Sequence, residues 1–406
     1  MKAIIKKSTA SGSITVPSSK SIAHRVLICA AFSDGVTEIT NVNFNDDIKA
    51  TVSCLKSMGI EIEERDNSVI TVYGNSHKGK IICERKMDCN ESGSTLRFML
   101  PFALLDGIKT TFYGSEKLFS RPLEVYEDIC KENGITWQKT ANSLTVCGKI
   151  SGGRFEVPGD ISSQFISGLA MALTQTENDS VIEITTALES ASYVYLTLDA
   201  LKTFGYSVKF DNNKTLFIKG GLKGISPKEY ALPGDESGAA FFGALNSVGG
   251  KAQLCGLKDN STQGDAVWKD YINILSEKYA SFSLADCPDL APILTVVAAL
   301  HHGARFTDTF RLKLKESDRG NAMAEELIKC GIDITVNEND IIVPKVEVHS
   351  PTDEFSSHND HRIAMSLAVL ATVTGGVING AECVKKSMPE FWQLLKSLNI
   401  DVEITA

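Results

Sequence analysis

A short phrase recurs along the chain and limits the folds that it can adopt. In each copy an amphipathic helix ends at a glycine or asparagine, and a strand of alternating residues follows. The copies centre on Gly59, Gly134, Gly205, Gly331 and Asn399. Glycine and asparagine tolerate the left-handed conformation that ends many helices. The copies lie roughly 70 residues apart, and one gap of nearly two periods should hold a degenerate copy near residues 278–280, so the sequence predicts six repeats.

Each repeat carries two kinds of helix. One kind is amphipathic and ends in the recurring phrase, as in residues 50–58 and 322–330. The other kind is apolar on nearly all faces, as in residues 161–173, 289–300 and 363–373. A helix that is apolar all round is buried all round. Short alternating strands occur at residues 68–72, 144–146 and 215–218. The pattern predicts α+β units in which buried helices lie behind small outer sheets.

The length of 406 residues suits two domains better than one. Six repeats divide naturally into three and three, and Pro233-Gly234 gives turn punctuation near the midpoint. The segment that leads to this point resembles residues 15–19. The first residues of the chain form a strand pattern, which we assign to the C-terminal half. We therefore predict lobes of residues 18–230 and of residues 1–17 plus 231–406, with the chain crossing between them twice.

Composition excludes several classes of function. The formal net charge of −9 argues against a broad surface for nucleic acid or anionic membranes. No apolar run reaches the roughly 18 residues that a membrane-spanning helix requires. The ten cysteines are scattered without a CxxC pair, which favours reduced thiols in a cytoplasmic protein without a metal site or disulfide framework. The chain also lacks a P-loop and a dinucleotide fingerprint, so we expect no cofactor.

Residues 89–97 predict an anion site. Small polar residues surround Gly93, and an apolar helical run follows them. Unpaired N–H groups and the dipole at such a helix start favour a negative charge. Arg97 lies one turn further and can add a full positive charge. Polar clusters open apolar helices again at residues 160–165, 235–242 and 359–365.

Basic residues dominate the turns and helix starts. This set comprises Lys20, Arg25, Arg97, Arg121, Lys315, Arg319, Arg362 and Lys386. Only Asp289 and Glu316 stand out as matching acids. Solvated charges would explain several of the cations, and a helix cap would explain Asp289. The imbalance nevertheless suits small substrates with several negative charges, with a carboxylate available as a base.

Seven motifs carry a resemblance to a known family. They lie at residues 17–25, 91–97, 120–123, 162–165, 288–289, 315–319 and 359–365. In this order they resemble the 5-enolpyruvylshikimate-3-phosphate synthase family over nearly the whole chain. The resemblance implies an α+β fold of two lobes. Each lobe would hold three inverse βαβαββ repeats with buried parallel helices and outer sheets, and two crossover strands would form the hinge.

The resemblance also implies a reaction. The carboxyvinyl group of phosphoenolpyruvate is transferred to the 5-hydroxyl of shikimate 3-phosphate, and phosphate is released. Addition and elimination pass through a tetrahedral intermediate, in a pathway that leads to chorismate and aromatic amino acids. The N-terminal lobe would be the side of shikimate 3-phosphate and the C-terminal lobe the side of phosphoenolpyruvate. We expect a monomer in the cytoplasm whose partners are these small molecules alone.

By position in the motifs, the resemblance assigns roles to individual residues. Shikimate 3-phosphate would be held by Lys20, Ser21, Arg25, Ser162, Ser163, Gln164, Ser190, Tyr193, Asp289 and Lys315. Phosphoenolpyruvate would be held by Lys20, Gly93, Arg97, Arg121, Gln164, Arg319, Arg362 and Lys386. Asp289 would take the proton of the 5-hydroxyl, Glu316 would handle the proton on the vinyl carbon, and Lys20 would neutralise charge on the bridging oxygen.

The chain departs from the family at two places. Many members read Gly-Asn-Ala-Gly-Thr where this chain reads residues 90–94 as Asn-Glu-Ser-Gly-Ser. Glu91 therefore either weakens phosphoenolpyruvate binding or caps the helix. Gly93 is retained, which implies sensitivity to glyphosate in competition with phosphoenolpyruvate. An asparagine that often contacts the shikimate ligand is replaced within residues 311–313, so that contact is not transferred.

Three other functions compete with this interpretation. A sister enzyme transfers the same group to a UDP-amino sugar, but it normally uses a loop cysteine, for which only Cys89 and Cys287 come into question. A non-catalytic repeat scaffold that binds a phosphorylated ligand would need neither Asp289 nor Glu316. An RNA-end phosphate cyclase has related units, but the acidic net charge argues against it.

Overall fold

The computed structural model describes residues 1–66 and 68–405. The helices are α1 (Lys20–Ala31), α2 (Asp46–Ser57), α3 (Gly93–Ala103), α4 (Glu116–Phe119), α5 (Glu124–Glu132), α6 (Ser163–Leu173), α7 (Ala191–Thr203), α8 (Glu236–Ser247), α9 (Trp268–Glu277), α10 (Ala291–Leu300), α11 (Arg319–Leu327), α12 (His361–Thr374) and α13 (Phe391–Ser397). Short 3₁₀ turns lie at Gly264–Val267, Pro288–Leu290, Phe310–Leu314, Ile328–Cys330 and Ala381–Lys386.

The strands are short, as the alternating patterns predict. They are β1 (Lys2–Ile5), β2 (Ser11–Thr15), β3 (Gly35–Thr40), β4 (Glu61–Arg65), β5 (Val69–Gly74), β6 (Glu84–Asp88), β7 (Lys109–Tyr113), β8 (Thr136–Lys139), β9 (Ser143–Cys147), β10 (Arg154–Val157), β11 (Ser180–Ile184), β12 (Val208–Asp211), β13 (Thr215–Ile218), β14 (Glu229–Ala231), β15 (Lys251–Cys255), β16 (Ala280–Ser283), β17 (Ala304–Thr307), β18 (Thr335–Val336), β19 (Asp340–Val343), β20 (Phe355–Ser356), β21 (Gly376–Asn379) and β22 (Val402–Thr405).

The described strands form six small sheets, and five of these share one topology. In the sheet β6-β7-β9-β8 the first pair is parallel and the other two pairs are antiparallel. The orders β10-β11-β13-β12, β14-β3-β5-β4, β16-β17-β19-β18 and β20-β21-β1-β22 repeat this arrangement. The sixth sheet is smaller and consists of β15 parallel to β2. The predicted α+β class and its repeated unit are confirmed.

The chain divides into two compact units, which we call the N-terminal unit (Lys20–Leu232) and the C-terminal unit (Met1–Ser19 with Pro233–Ala406). β1 pairs with β21 and β22, so the start of the chain completes a sheet of the C-terminal unit. β14 pairs with β3 and completes a sheet of the N-terminal unit. The two segments that link the units meet where the Ser19 N–H donates to the Pro233 carbonyl at 2.8 Å. The assignment of one substrate to each lobe remains a prediction.

Each unit has its own core, built largely from the helices that are apolar all round. In the N-terminal unit Leu27 and Phe98 are buried on α1 and α3. In the C-terminal unit Val297 and Leu370 are buried on α10 and α12. Each such side chain contributes about 1.5–3 kcal/mol when it is fully buried. These cores fix the helix starts that carry the polar clusters.

All five predicted helix starts were wrong by two to four residues, and two of them have a clear local cause. α2 begins at Asp46, ahead of the predicted residue 50, because the Asn45 side chain accepts from the Ile48 N–H at 3.0 Å and caps the helix earlier. α10 begins at Ala291 rather than Asp289, because Pro288–Leu290 forms a 3₁₀ turn.

None of the helices among the described residues is long and apolar enough to cross a membrane. All ten cysteines are free thiols.

Candidate active site

The predicted anion turn forms the start of α3 in the N-terminal unit. The Ser92 hydroxyl caps the helix by accepting from the Thr95 N–H at 3.2 Å. The interpretation of Glu91 as the cap is therefore wrong. A Cβ placed on Gly93 would lie 2.5 Å from Nη1 and 2.9 Å from Cζ of Arg121. The guanidinium thus lies against the bare backbone of the helix start, where both the N–H groups and the charge favour an anion.

Arg121 and Arg97 approach this helix start in different ways. The Nε of Arg121 is buried and has no hydrogen-bond partner among the described residues. Arg97 donates from Nη1 to the Gln164 side-chain oxygen at 2.8 Å and from Nη2 to the Pro122 carbonyl at 2.9 Å. Gln164 in turn donates to the Ser94 hydroxyl at 2.8 Å. These two acceptors are neutral, and they orient the Arg97 guanidinium.

Arg25 is buried inside the N-terminal unit, and its hydrogen-bond acceptors among the described residues are all neutral. Its side chain is 2% exposed, so its interpretation as a solvated charge is wrong. Nε donates to the Thr197 hydroxyl at 2.6 Å, Nη1 to the Ser21 carbonyl at 2.7 Å and Nη2 to the Tyr193 carbonyl at 2.9 Å. Burial lowers the pKa of Arg25 to about 10, which leaves it protonated at neutral pH. A buried charge without a carboxylate is costly, and an anionic ligand would offset that cost.

Lys20 is the first residue of α1 and forms an ion pair that the sequence did not predict. Its Nζ lies 3.0 Å from the Asp47 carboxylate, and both side chains are mostly buried. Asp47 lies in the first turn of α2, where an acid also complements the helix dipole. The pair holds the Lys20 ammonium at the start of α1.

The predicted serines lie at two other helix starts of this unit. Ser162 caps α6, and its hydroxyl accepts from the Gln164 N–H at 3.3 Å. Ser163 is buried in the first turn. Ser190 precedes α7 with φ 56°, a left-handed conformation that costs about 1 kcal/mol or more in a residue other than glycine. The backbone carbonyl of Ser190 accepts from the Tyr193 N–H at 3.1 Å.

Asp289 is the centre of the polar cluster in the C-terminal unit. Its Oδ1 accepts from Arg319 Nη1 at 2.8 Å and from Lys315 Nζ at 3.3 Å, and its Oδ2 accepts from Arg362 Nη2 at 2.9 Å. Burial alone would raise its pKa, but the charges of Arg362, Lys315 and Arg319 hold the pKa well below the ordinary value. The carboxylate does not cap α10, so the helix-cap interpretation is wrong.

Arg319 joins three carboxylates. It is 1% exposed and reaches Glu316 through Nη2 at 2.8 Å, Asp360 through Nε at 3.0 Å and Asp289 through Nη1. Burial would lower its pKa, but Asp360, Glu316 and Asp289 raise it instead. Because α11 begins at Arg319, Lys315 lies outside the helix, although a spacing of four residues in the sequence would let the two cations share one helix face. They meet at Asp289.

The remaining cations of the C-terminal unit differ in their surroundings. Burial lowers the pKa of Lys315 to about 8, although Asp289 opposes the shift. Arg362 donates from Nη1 to the Ser237 hydroxyl at 2.8 Å. Lys386 donates to the Asn359 carbonyl at 2.7 Å. The cluster around Asp289 therefore contains five of the predicted residues, namely Asp289, Lys315, Glu316, Arg319 and Arg362, whereas Lys386 anchors a neighbouring loop.

Three polar residues that contact the predicted site residues were not predicted from the sequence. Asp360 lies within the motif of residues 359–365, but nothing in the sequence indicates that it caps α12 and pairs with Arg319. Asp47 has the appearance of an ordinary acid in a first helical turn. Thr197 lies within α7, far along the chain from its partner Arg25, and nothing local marks it.

One group of acids and histidine among the described residues has ligand atoms close enough for a metal ion. It consists of Glu325, Glu326 and His358. The Glu326 oxygens already accept from His358 Nε2 at 2.9 Å and from Lys329 Nζ at 2.7 Å. Its oxygen also accepts from the Ser356 N–H at 2.8 Å. These contacts anchor the loop that leads to Asp360.

The two cysteines in charged loops are both buried. Burial raises the pKa of the Cys89 thiol well above its ordinary value, and neighbouring Cys54 adds to the shift. Burial likewise raises the pKa of Cys287, and Asp265 adds to this shift. A nucleophilic cysteine needs a lowered pKa and access to its substrate. Neither thiol meets this requirement.

Comparisons with known proteins show the family of the chain. The family model of EPSP synthase (3-phosphoshikimate 1-carboxyvinyltransferase) matches residues 4–395. The 3-phosphoshikimate 1-carboxyvinyltransferase of Clostridium novyi is 41% identical over 94% of this chain and 94% of its own length. That of Clostridium kluyveri is 39% identical over 97% of this chain and 96% of its own length.

Solved structures show the same fold. The EPSP synthase of Acinetobacter baumannii is 25% identical with a TM-score of 0.80, and all of both chains is covered. The enolpyruvyl transferase NikO of Streptomyces tendae has a TM-score of 0.77 at 14% identity and covers 100% of this chain and 98% of its own, which shows the fold alone.

Proposed function

Because the chain belongs to the EPSP synthase family, we propose that it transfers the carboxyvinyl group of phosphoenolpyruvate to the 5-hydroxyl of shikimate 3-phosphate and releases phosphate. The product leads towards chorismate and the aromatic amino acids. The cluster around Asp289 carries this proposal, since it joins a carboxylate that can accept a proton to three cations that can hold anionic substrates. Neither a scaffold nor a simple phosphate-binding site needs that combination.

Each substrate is assigned its own set of residues. Those for shikimate 3-phosphate are Lys20, Ser21, Arg25, Ser162, Ser163, Gln164, Ser190, Tyr193, Asp289 and Lys315. Those for phosphoenolpyruvate are Lys20, Gly93, Arg97, Arg121, Gln164, Arg319, Arg362 and Lys386. The neutral surroundings of Arg25 and the bare backbone at Gly93 support these assignments. Both substrates carry several negative charges, and charge-assisted hydrogen bonds to arginine are among the strongest that a protein offers.

The addition step forms one bond and moves two protons. Asp289 takes the proton of the 5-hydroxyl while that oxygen attacks C2 of phosphoenolpyruvate. Glu316 gives a proton to C3, which becomes a methyl group, and a tetrahedral intermediate results. In the elimination step the bond from C2 to the phosphate oxygen breaks, Lys20 neutralises the charge on that oxygen, and a methyl proton returns to Glu316 as the C2–C3 double bond forms again. Asp289 then releases its proton to solvent, and both carboxyl groups are restored.

The surroundings of Asp289 link substrate binding to its strength as a base. Arg362 and Arg319 hold its pKa low in the free chain. An anionic substrate that binds these two arginines shares their charge and weakens their effect on Asp289. The pKa of Asp289 then rises and its proton affinity increases. The base is thereby activated when phosphoenolpyruvate is in place.

We also propose that glyphosate inhibits the chain in competition with phosphoenolpyruvate. The support is Gly93, whose missing side chain lets Arg121 lie against the start of α3. Full activity at millimolar glyphosate would contradict this proposal.

We further propose that the chain works as a monomer in the cytoplasm. The ten free thiols support a reducing compartment.

Phosphate release from the purified chain tests the function. Release should require phosphoenolpyruvate and shikimate 3-phosphate together, with each alone as a control. Asp289→Asn and Glu316→Gln should each lower kcat by about 10²–10⁴-fold, because each removes a group that moves a proton. Glu325→Gln is the matched control, since this exposed acid lies on α11, which begins three residues after Glu316. Its kcat should stay close to that of the wild-type chain. Release with a UDP-amino sugar but not with shikimate 3-phosphate would favour the sister activity.

A further inference from the structure

The segment around the 3₁₀ turn Gly264–Val267 holds the start of α8. The Gln263 side chain accepts from the Glu236 N–H at 3.2 Å and donates to the Gly234 carbonyl at 2.8 Å. Asp265 accepts from the Ser237 hydroxyl through Oδ2 at 2.6 Å. Asp265 is only 4% exposed. No part of this segment belongs to the motifs that identify the family, so its role needs a separate explanation.

Ser237 connects this segment to the proposed phosphoenolpyruvate site. A serine hydroxyl has one hydrogen to donate and two lone pairs that accept. Ser237 gives its hydrogen to Asp265 and accepts from Arg362 Nη1 at 2.8 Å. Arg362 then donates from Nη2 to Asp289 at 2.9 Å. A continuous path of three hydrogen bonds therefore runs from Asp265 to Asp289.

We propose that Asp265 is a positioning residue that acts through Ser237 to hold the guanidinium of Arg362 in its binding orientation. This inference rests on the proposed function, in which Arg362 binds phosphoenolpyruvate. An ionised Asp265 can only accept, so it fixes the direction of the Ser237 hydrogen and leaves a lone pair facing Arg362. A protonated Asp265 can itself donate to Ser237, and the hydroxyl hydrogen is then free to turn towards Arg362 and repel it.

Burial and the neighbouring charges place the protonation of Asp265 in an accessible pH range. The titratable and charged groups that act on Asp265, or that it acts on, are Asp235, Cys287, Asp289 and Arg362. Burial and the charge of Asp289 raise the pKa of Asp265 to about 6, while Arg362 and the Ser237 hydroxyl oppose the shift. Asp265 is thus ionised above about pH 6 and becomes protonated below it. The orientation of Arg362 should weaken as the pH falls through this value.

The test compares Asp265→Asn with the wild-type chain in steady-state kinetics from pH 5 to pH 8. At pH 7.5 the KM for phosphoenolpyruvate should rise about tenfold while kcat changes less than about threefold. The ratio of the two KM values should shrink towards one at pH 5, where the wild-type Asp265 is itself protonated. Titration of the substrate affects both proteins equally and cancels in this ratio. Asp259→Asn, an exposed acid in the preceding loop, is the control.

Ser237→Ala provides a second route if Asp265→Asn does not fold. It should raise the KM for phosphoenolpyruvate by a similar factor, and it needs no substitution at Asp265. Where Asp265→Asn does fold, adding it to Ser237→Ala should have no further effect on KM. A ratio of KM values that stays constant with pH, or a loss confined to kcat, would overturn the positioning role. A wild-type chain that releases no phosphate would instead count against the proposed function, so the two failures are distinguishable.

Discussion

Two arginines of the N-terminal unit and two of the C-terminal unit are held by different means at the candidate site. In the N-terminal unit Arg25 is held by hydroxyl and carbonyl oxygens, and Arg97 by an amide and a carbonyl. In the C-terminal unit Arg319 is held by three carboxylates, and Arg362 by a carboxylate and a hydroxyl. Both arrangements orient a guanidinium, and the carboxylates of the C-terminal unit also neutralise theirs.

This difference suits two kinds of chemistry. A cation with neutral partners keeps its full charge for an anion that binds later. A cation among carboxylates instead controls their pKa values, as Arg319 does for Asp360 and Asp289. Under the proposed function, Arg25 therefore keeps its charge for an anionic substrate, whereas Arg319 also prepares the carboxylates that move protons.

The largest expected effect is a difference in the free energy of unfolding between variants of the two kinds of arginine. Arg319→Met should destabilise the free chain by about 3–5 kcal/mol, because it leaves Asp289, Glu316 and Asp360 without their common cation. Arg25→Met should cost only about 1 kcal/mol, because its acceptors are neutral and Thr197 still donates to Ser167 at 2.8 Å. Urea denaturation of each variant without substrates measures both values.

Arg305→Met is the control for this comparison. Arg305 is an exposed arginine of the C-terminal unit that pairs with Asp340, and its loss should cost less than about 1 kcal/mol. If Arg25→Met proved as damaging as Arg319→Met, the distinction between the two units would fail. If Arg319→Met does not fold, Arg319→Lys should still lose more stability than Arg25→Lys.

A smaller effect is expected from the N-terminal unit alone. Gly93→Ala places a Cβ where the Arg121 guanidinium now lies, so that flexible side chain must move. The KM for phosphoenolpyruvate and the inhibition constant for glyphosate should each rise about tenfold, or about 1.4 kcal/mol, with little change in the urea midpoint. In an Arg121→Lys background the same substitution should cost less, because the displaced group is absent. Equal costs in both backgrounds would show that Arg121 is not the group affected.

The sequence predicts the fold well because its signals are local. The glycine at the end of each amphipathic helix and the all-apolar helices are read within a few residues, and they imply six repeated units. The reduced sheet of β15 and β2 does not follow from these signals, because the pairing of Ser11–Thr15 with Lys251–Cys255 joins distant parts of the chain.

The site is harder to predict because its partners are far apart in sequence. Arg25 and Thr197 are 172 residues apart, and Arg362 and Ser237 are 125 apart. An acid before an apolar helix has the same local pattern whether it caps the helix or binds arginines from elsewhere. Asp289 was therefore ambiguous in the sequence, and only its contacts with Arg319 and Arg362 settle its surroundings.

The smallest expected effect compares one histidine from each unit. His24 of the N-terminal unit is buried beside Thr51, and burial together with Lys20 and Arg25 lowers its pKa well below the ordinary value. His358 of the C-terminal unit bonds to Glu326, and this bond raises its pKa. The two groups should therefore make stability depend on pH with opposite signs.

The signs follow from which state binds the proton. For His24 the unfolded chain gains a proton below its pKa of about 6.5 and the folded chain does not, so stability falls as the pH falls. For His358 the folded chain holds the proton more tightly, so its contribution is complete below about pH 6.5 and disappears as the pH rises through the raised value.

Asparagine replaces both residues in matched variants, since it keeps a polar group at 24 and tolerates the φ of 48° at 358. Between pH 8 and pH 6, His24→Asn should gain stability relative to the wild type by less than about 1 kcal/mol. His358→Asn should lose about 0.5 kcal/mol over the same range. Urea midpoints at the two pH values measure both changes. Slopes of the same sign would mean that the two histidines do not have opposite surroundings. The contrast between the N-terminal and C-terminal units would then be confined to the arginines.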